Sequence, residues 1–230
     1  MGSGGQARST HWLDWTLNDL LEQLGGVPAE RVRMVPMPGT ATEEDLLAVE
    51  SRTGRVLELI DGVLVEKVVG WYEMAVAVEL AWLLKRYVQD RGWGVVLRTE
   101  GPLRIFPGQV RSPAVAYVSF QRLGRIREPV RPVLPVAPDL AVEVLSETNT
   151  PGEMERKLRD YFAAGVESVW YIDPKARTAR TYSSLEECET ISDEGFLRGG
   201  RVLPGLVVSL REIFQKAHQP RPDEPTCPSN

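Results

Sequence analysis

The sequence predicts one α/β domain, with a mixed β-sheet flanked by helices and an N-terminal helical extension. Its strongest support is the apolar run "DLAVEVLS" (139–146), which precedes the helical pattern "PGEMERKLRDYFAAG" and a second apolar run, "ESVWYID". Strand, helix and strand in this order favour a crossover that joins two neighbouring, buried parallel strands. Upstream, Asp61 and Gly62 separate two alternating apolar runs, and this dipeptide is typical of a β-hairpin.

The other elements follow from their start and stop signals. Thr16 and Thr42 each precede an acid by three residues, as in helix N-terminal caps, and the helical spacing over 71–91 ends at Gly92. The segment 94–119 predicts three strands, "GVVLRT", "PLRIF" and "VRSPAVAYVS", and "SLREIFQKA" predicts a last helix. We therefore expect a disordered start (1–10), a helical extension (11–38), the main domain (39–217) and a disordered Pro-rich tail (218–230).

Composition excludes several classes of protein. No apolar run approaches the roughly 18 to 20 residues that span a bilayer, and "MGSGGQ" resembles a cloning remnant rather than a secretory signal. With only two cysteines, a disulfide framework is not expected and a reducing cytoplasm fits. Both histidines, His11 and His218, lie near the chain ends, which argues against His-based catalysis or zinc binding. The net charge of −5 argues against a basic coat for nucleic acid.

Glu143 is the first candidate for chemistry, because it interrupts the apolar strand "LAVEVL". A buried carboxylate requires a neutralising cation or a raised pKa. Two interpretations remain open: a buried salt bridge, for example to Arg111, or a carboxylate that binds a metal ion or takes part in catalysis.

Three further residues are weak candidates singly and stronger together. Glu58 alternates with leucines, Glu73 extends the core-facing stripe of a helix at its N-terminal end, and Lys157 lies at the apolar boundary of its helix. Each could equally be an ordinary surface, cap or pairing residue. Carboxylates with a lysine, and without histidine or cysteine, suit Mg²⁺ and phosphodiester hydrolysis.

The chain resembles the Uma-two family of endonucleases, within the restriction-endonuclease-like PD-(D/E)xK superfamily. The resemblance covers about residues 17–214, through "ELIDGVLVEK", "GWYE", "VRSPAVAYVS", "PDLAVEVLS", "NTPGEMERKLRDYFAAGV" and "WYIDP". It implies a restriction-endonuclease-like core and a DNA substrate. It also implies these roles: Glu143 as the acid of the ExK half-motif and a metal ligand, the Val144 carbonyl as a further ligand, Lys157 as the migrated lysine, Glu58 as an additional acid, and Glu73 where relatives often have histidine.

Ala114 departs from the family pattern. Relatives have "RxPD" where this chain has "RSPA", so alanine stands at the position of the second metal-ligating acid. The resemblance therefore implies Mg²⁺ or Mn²⁺ that is weakly bound or absent. Three explanations stay open: an engineered knock-out, a natural inactive relative, or an active site in which Glu58 or Glu73 compensates.

The sequence leaves three functions open, of which two are the principal ones. The first is a metal-dependent DNA endonuclease impaired at Ala114, and the second is a pseudonuclease that binds nucleic acid or protein. A structural or regulatory subunit is the third. Candidate DNA contacts are Arg111, Arg122, Arg125 and Arg127, although a solvated charged loop explains the last three equally well. A homodimer is expected from the resemblance, with Trp12, Trp15 and Leu17 as candidate interface residues.

Overall fold

The computed structural model describes residues 15–98, 101–124 and 132–218, without the side chain of Arg98. Predictions for the chain start, for Trp12, for Arg125 and Arg127, and for the tail beyond residue 218 therefore lie outside the described part. None of the helices in these ranges is long and apolar enough to cross a bilayer.

A six-stranded sheet forms the centre of the molecule. Its strands stand in the order β10-β9-β8-β7-β6-β3, and only β7 and β8 run parallel to each other. The strands are β3 (Gly94–Arg98), β6 (Val115–Ser119), β7 (Leu140–Val144), β8 (Ser168–Asp173), β9 (Thr178–Tyr182) and β10 (Cys188–Ile191). The predicted crossover is confirmed: helix α5 (Pro151–Ala163) joins the two parallel strands.

A smaller antiparallel sheet packs beside the first, in the order β2-β1-β5-β4. It consists of β1 (Leu57–Ile60), β2 (Val63–Glu66), β4 (Leu103–Phe106) and β5 (Gln109–Arg111). Asp61 and Gly62 both have positive φ, 50° and 74°, as a two-residue hairpin turn requires, so the predicted hairpin is confirmed. Two short strands, β11 (Phe196–Arg198) and β12 (Val207–Ser209), pair separately.

Helices cover the central sheet. Helix α3 (Trp71–Gln89) and helix α6 (Leu210–Ala217) bury their apolar sides in the largest core cluster, and α5 covers a second cluster around Tyr161 and Tyr171. Helices α1 (Leu17–Gln23) and α2 (Glu43–Thr53) begin at the predicted caps, each with a complete capping box. Helix α4 (Phe120–Leu123) is a single turn after β6.

The predicted strand "VRSPAVAYVS" is wrong as one element. It divides into β5, which ends at Arg111 in the smaller sheet, and β6, which begins at Val115 in the central sheet. Pro113 lies in the break, and proline cannot donate the backbone hydrogen bond that a continuing ladder needs. The chain therefore changes sheets at Ser112–Ala114, which brings the two sheets together next to Glu143.

The N-terminal extension packs tightly on the main domain. Gly25 and Gly152 approach so closely that a Cβ on Gly25 would lie 2.4 Å from the Gly152 carbonyl carbon. The Arg31 guanidinium is 3% exposed and donates two hydrogen bonds, of 2.9 and 2.7 Å, to the Glu153 carboxylate on α5. A buried, bidentate ion pair thus joins the extension to the helix that carries Lys157.

Candidate active site

Three of the predicted site residues meet between the two sheets and α5. Glu143 lies near the C-terminal end of β7, Glu58 on β1, and Lys157 in the second turn of α5. The ammonium Nζ of Lys157 is 3.1 Å from Glu58 Oε1 and 3.3 Å from Glu143 Oε1. All three residues are at most 2% exposed. The tertiary fold therefore assembles residues that are 85 and 14 positions apart around one lysine.

Arg111 extends this assembly on the side of the smaller sheet. Its Nη1 lies 2.8 Å from Glu58 Oε2, and its Nη2 donates to the Asp160 carboxylate on α5. The Ser112 backbone N–H donates to Glu58 Oε1 at 3.2 Å. Arg111 thus pairs with Glu58 and Asp160, which corrects the salt bridge to Glu143 that the sequence left open.

Lys67, like Asp160, is a residue of the candidate site for which the sequence predicted no role. It follows β2, its side chain is 8% exposed, and its Nζ lies 2.7 Å from Glu143 Oε2 and 2.6 Å from the Ser112 carbonyl oxygen. The Tyr161 hydroxyl donates to Glu143 Oε1 at 2.7 Å. Lys67 lies beyond the end of the hairpin, and no periodicity links it to β7, so only the folded chain reveals the contact.

We call Glu58, Lys67, Arg111, Glu143, Lys157 and Asp160 the ion-pair cluster. Three cationic side chains face three carboxylates, so the cluster carries no net charge. Burial disfavours the ionised form of Glu58, but the positive charges of Lys157, Arg111 and Lys67 hold its pKa well below its usual range. Burial also disfavours the charged form of Lys157, yet the Glu143 and Glu58 carboxylates raise its pKa. Both groups are therefore charged at neutral pH.

Ala114 lies directly beside this cluster. Val115 pairs with Val142 in the antiparallel β6–β7 ladder, so one further step along each strand brings Ala114 next to Glu143. Ala114 is 3% exposed and belongs to the same apolar core cluster as Val144, the last residue of β7. The methyl group of Ala114 therefore packs in the apolar core cluster, one residue before β6, at the position that the ladder register sets opposite Glu143.

Glu73 stands apart from the ion-pair cluster. It lies in the first turn of α3, and its carboxylate turns back towards Gly70, the residue that caps the helix. It also lines a separate cavity of about 960 Å³ at the C-terminal ends of β7 and β8. The structure therefore places Glu73 at a helix terminus, where a carboxylate is favourable to the helix dipole.

The predicted DNA-contacting arginines are not together on one surface in the described part. Arg111 is 1% exposed and ion-paired, so its guanidinium does not reach solvent. Arg122 donates to Asp139 at 3.0 Å and to the Gly165 carbonyl at 2.8 Å. Asp139 precedes β7, whereas Glu143 is near its end, so Arg122 lies at the opposite edge of the sheet from the ion-pair cluster.

The donor set of this chain does not fit a divalent cation as it is arranged. Mg²⁺ prefers carboxylate and water oxygens in octahedral geometry. Glu58 and Glu143 are here surrounded by Lys157, Lys67 and Arg111, and Ala114 offers no ligand. Within residues 15–98, 101–124 and 132–218, no three His, Cys, Asp or Glu side chains form a group that could hold a metal ion.

The fold matches that of a solved structure described as a putative nuclease. A solved structure that matches is the "Crystal structure of a putative nuclease belonging to DUF820" from Anabaena variabilis ATCC 29413, with a TM-score of 0.63 and 19% sequence identity. The match covers 72% of this chain and 93% of that one. The predicted restriction-endonuclease-like α/β core is thereby confirmed.

A family model matches residues 43–211, which is most of the chain, and its description is "Uma2: Putative restriction endonuclease". The chain belongs to the Uma2 family. A search of curated proteins gave no match. The predicted family is thus confirmed, and the roles of individual residues in this chain remain predictions.

Proposed function

We propose that the ion-pair cluster is the site of a metal-dependent DNA endonuclease, and that Ala114 impairs phosphodiester hydrolysis in this chain. The observation that carries the proposal is the meeting of Glu58, Glu143 and Lys157 beside Ala114. Two carboxylates and a lysine from three separate elements suit this chemistry. An idle buried carboxylate on a central strand would be costly, and this cluster holds two.

The impairment follows from the missing anion. An aspartate at position 114 would add a fourth carboxylate to the ion-pair cluster and give it a net negative charge, which favours a divalent cation. With alanine the cluster is already neutral. We therefore expect no cleavage from the chain as it stands.

The test is restoration of the aspartate. Ala114→Asp, incubated with Mg²⁺ or Mn²⁺ and supercoiled plasmid, is expected to nick DNA, and Lys157→Ala or Glu143→Ala in the same background should abolish the nicking. Glu73→Gln in that background serves as the control, because Glu73 lies outside the ion-pair cluster. A folded, metal-binding Ala114→Asp protein that leaves the plasmid intact would refute the proposal.

The second candidate function is a pseudonuclease, a nuclease-fold protein that binds without cutting. It is favoured by the ion-pair cluster, whose carboxylates are fully compensated by side chains of the chain itself. Arg125 and Arg127 remain candidates for contacts to phosphates in such a protein. DNA affinity that is unchanged between 50 and 300 mM salt, or by Arg125→Ala and Arg127→Ala, would argue against nucleic acid as the partner.

We also propose that the chain forms a homodimer through α3. Trp71, Met74, Val78 and Trp82 recur at helical spacing on its outer face and are 70%, 45%, 44% and 51% exposed. Such a contiguous apolar stripe is typical of an interface. Antiparallel pairing of two copies centred on Val78 would set Met74 against the partner's Trp82 and Trp71 against the partner's Lys85, which are favourable sulfur–aromatic and cation–π contacts.

Measurement of the oligomeric state tests the proposed homodimer. Sedimentation at rising protein concentration is expected to show a dimer that Trp82→Glu dissociates, whereas Leu185→Glu, a matched exposed apolar residue on a β9–β10 connection, leaves it intact. A monomer at all concentrations would refute self-association. The proposed interface is an alternative to the N-terminal one expected from the sequence, in which Trp15 packs against the core cluster of the N-terminal extension and Leu17 is 54% exposed. An exposed thiol at Cys188 is compatible with the expected cytoplasmic location.

A further inference from the structure

The route from solvent to the ion-pair cluster runs past Lys67. Lys67 and Ser112 line a cavity of about 310 Å³, together with Arg55, Val68 and Met74. Glu143 does not line that cavity, although it contacts Lys67 directly. The lysine side chain therefore stands between the open cavity and the buried carboxylate.

Two short hydrogen bonds hold Lys67 in this position. Its ammonium donates to Glu143 Oε2 at 2.7 Å and to the Ser112 carbonyl at 2.6 Å, and the side chain is only 8% exposed. The Ser112 carbonyl belongs to the segment between β5 and β6, where the chain changes sheets. Lys67 thus bridges the end of the hairpin, the break between the two sheets and the β7 carboxylate.

The charges of the ion-pair cluster define the electrostatic role of Lys67. Without Lys67 the ion-pair cluster would hold three carboxylates and two cations, and Glu143 would keep Lys157 as its nearest positive charge. The Lys67 ammonium supplies the missing charge and donates a hydrogen bond to Glu143 Oε2, the oxygen that does not contact Lys157. A divalent cation, or a phosphate that approaches Lys157, meets this ammonium first.

We infer that Lys67 closes the site: it occupies the cation position at Glu143 and must swing out before a divalent metal ion can bind there. This inference rests on the proposed function. It assigns a control over metal access to Lys67, the last residue of the segment "ELIDGVLVEK", to which the resemblance gave no role, in addition to the loss of the ligand at position 114. Lys67 is a positioning and gating residue, since it acts through Glu143.

Metal affinity provides the test. We would measure Mn²⁺ binding by electron paramagnetic resonance of the free ion for the original chain, Ala114→Asp, and Ala114→Asp/Lys67→Met. The original chain is expected not to bind at the site, and the double variant at least tenfold more tightly than Ala114→Asp. The matched control is Ala114→Asp/Lys216→Met, because Lys216 is an exposed lysine on α6, away from the ion-pair cluster and from the proposed α3 interface. Equal affinities for the double variant and Ala114→Asp would overturn the inference.

A second measurement leaves Lys67 in place and so does not depend on the folding of a Lys67 variant. Acylation by a lysine-reactive ester, mapped by mass spectrometry, is expected to be slow at Lys67 and fast at the exposed Lys216 in the metal-free Ala114→Asp protein. Saturating Mn²⁺ should accelerate labelling of Lys67 by at least fivefold without changing the labelling of Lys216. If the labelling rate of Lys67 is the same with and without bound Mn²⁺, the proposed movement of Lys67 is contradicted.

The outcomes separate the two proposals. If Ala114→Asp/Lys67→Met binds Mn²⁺ more tightly than Ala114→Asp but leaves supercoiled plasmid intact, the control of metal access by Lys67 is supported and the endonuclease proposal is refuted. If Ala114→Asp nicks plasmid while Lys67→Met leaves the Mn²⁺ affinity unchanged and bound Mn²⁺ leaves the labelling of Lys67 unchanged, the endonuclease proposal is supported and the control of metal access by Lys67 is refuted.

Discussion

Lys157→Met is expected to destabilise the protein strongly. The ammonium is 1% exposed and lies 3.1 and 3.3 Å from two carboxylates. At these distances each attraction amounts to roughly 5 kcal/mol with an effective dielectric constant of about 20. Desolvation offsets much of this, but the substitution leaves Glu58 and Glu143 with one cation fewer, and removing one partner of a buried pair costs about 3–5 kcal/mol.

The measurement is the free energy of unfolding from urea titrations at pH 7, with equal m-values as the check on two-state behaviour. Lys216→Met is the control, because an exposed lysine replaced by methionine should change stability by less than about 0.5 kcal/mol. Adding Glu58→Gln to Lys157→Met restores neutrality and should recover part of the loss. A loss below about 1 kcal/mol, or no recovery in the double variant, would refute the view that charge balance holds the ion-pair cluster together.

Three further predictions follow from the same structure. Because the folded-state pKa of Glu58 is lowered, its contribution is complete above its unfolded pKa and is lost as the pH falls below about 4; a stability profile in acid should therefore be shallower for Glu58→Gln. Gly25→Ala should destabilise more than Gly26→Ala in thermal unfolding, since both have positive φ but only Gly25 meets Gly152; equal losses would exclude the clash. Tyr161→Phe should lose about 1.5–3 kcal/mol in urea unfolding through its hydrogen bond to a carboxylate, and an unchanged midpoint would contradict this.

Much of the architecture could be predicted because its signals are local. The Thr16 and Thr42 caps, the Asp61-Gly62 turn and the apolar runs of β7 and β8 each act within a few residues, and the structure contains all of them. The break between β5 and β6 was missed although Pro113 signals it. An alternating apolar pattern on both sides masked the change of sheet, which depends on the partners of each half.

The candidate site, like the fold, could be predicted where the signal is local and not where it depends on tertiary contacts. A carboxylate inside an apolar strand demands compensation, so Glu143 could be singled out from its neighbours alone, and the composition excluded histidine and cysteine chemistry. The identity of its partners could not be found in this way. Arg111 was expected at Glu143 or on DNA, yet it pairs with Glu58 and Asp160, and Lys67 was not expected at all.

The sequence by itself determined the α/β class and the family, because these depend on residue types and short-range periodicity. Only the tertiary structure decided which charged groups surround Glu143. Side chains from β1, from α5 and from the residue after β2 form a network of ion pairs around it, through contacts between residues 14 to 99 positions apart, and Coulomb attraction in a buried space depends on distance in three dimensions. At "RSPA" the fold sets a methyl group beside a cluster that lysines and arginine already neutralise.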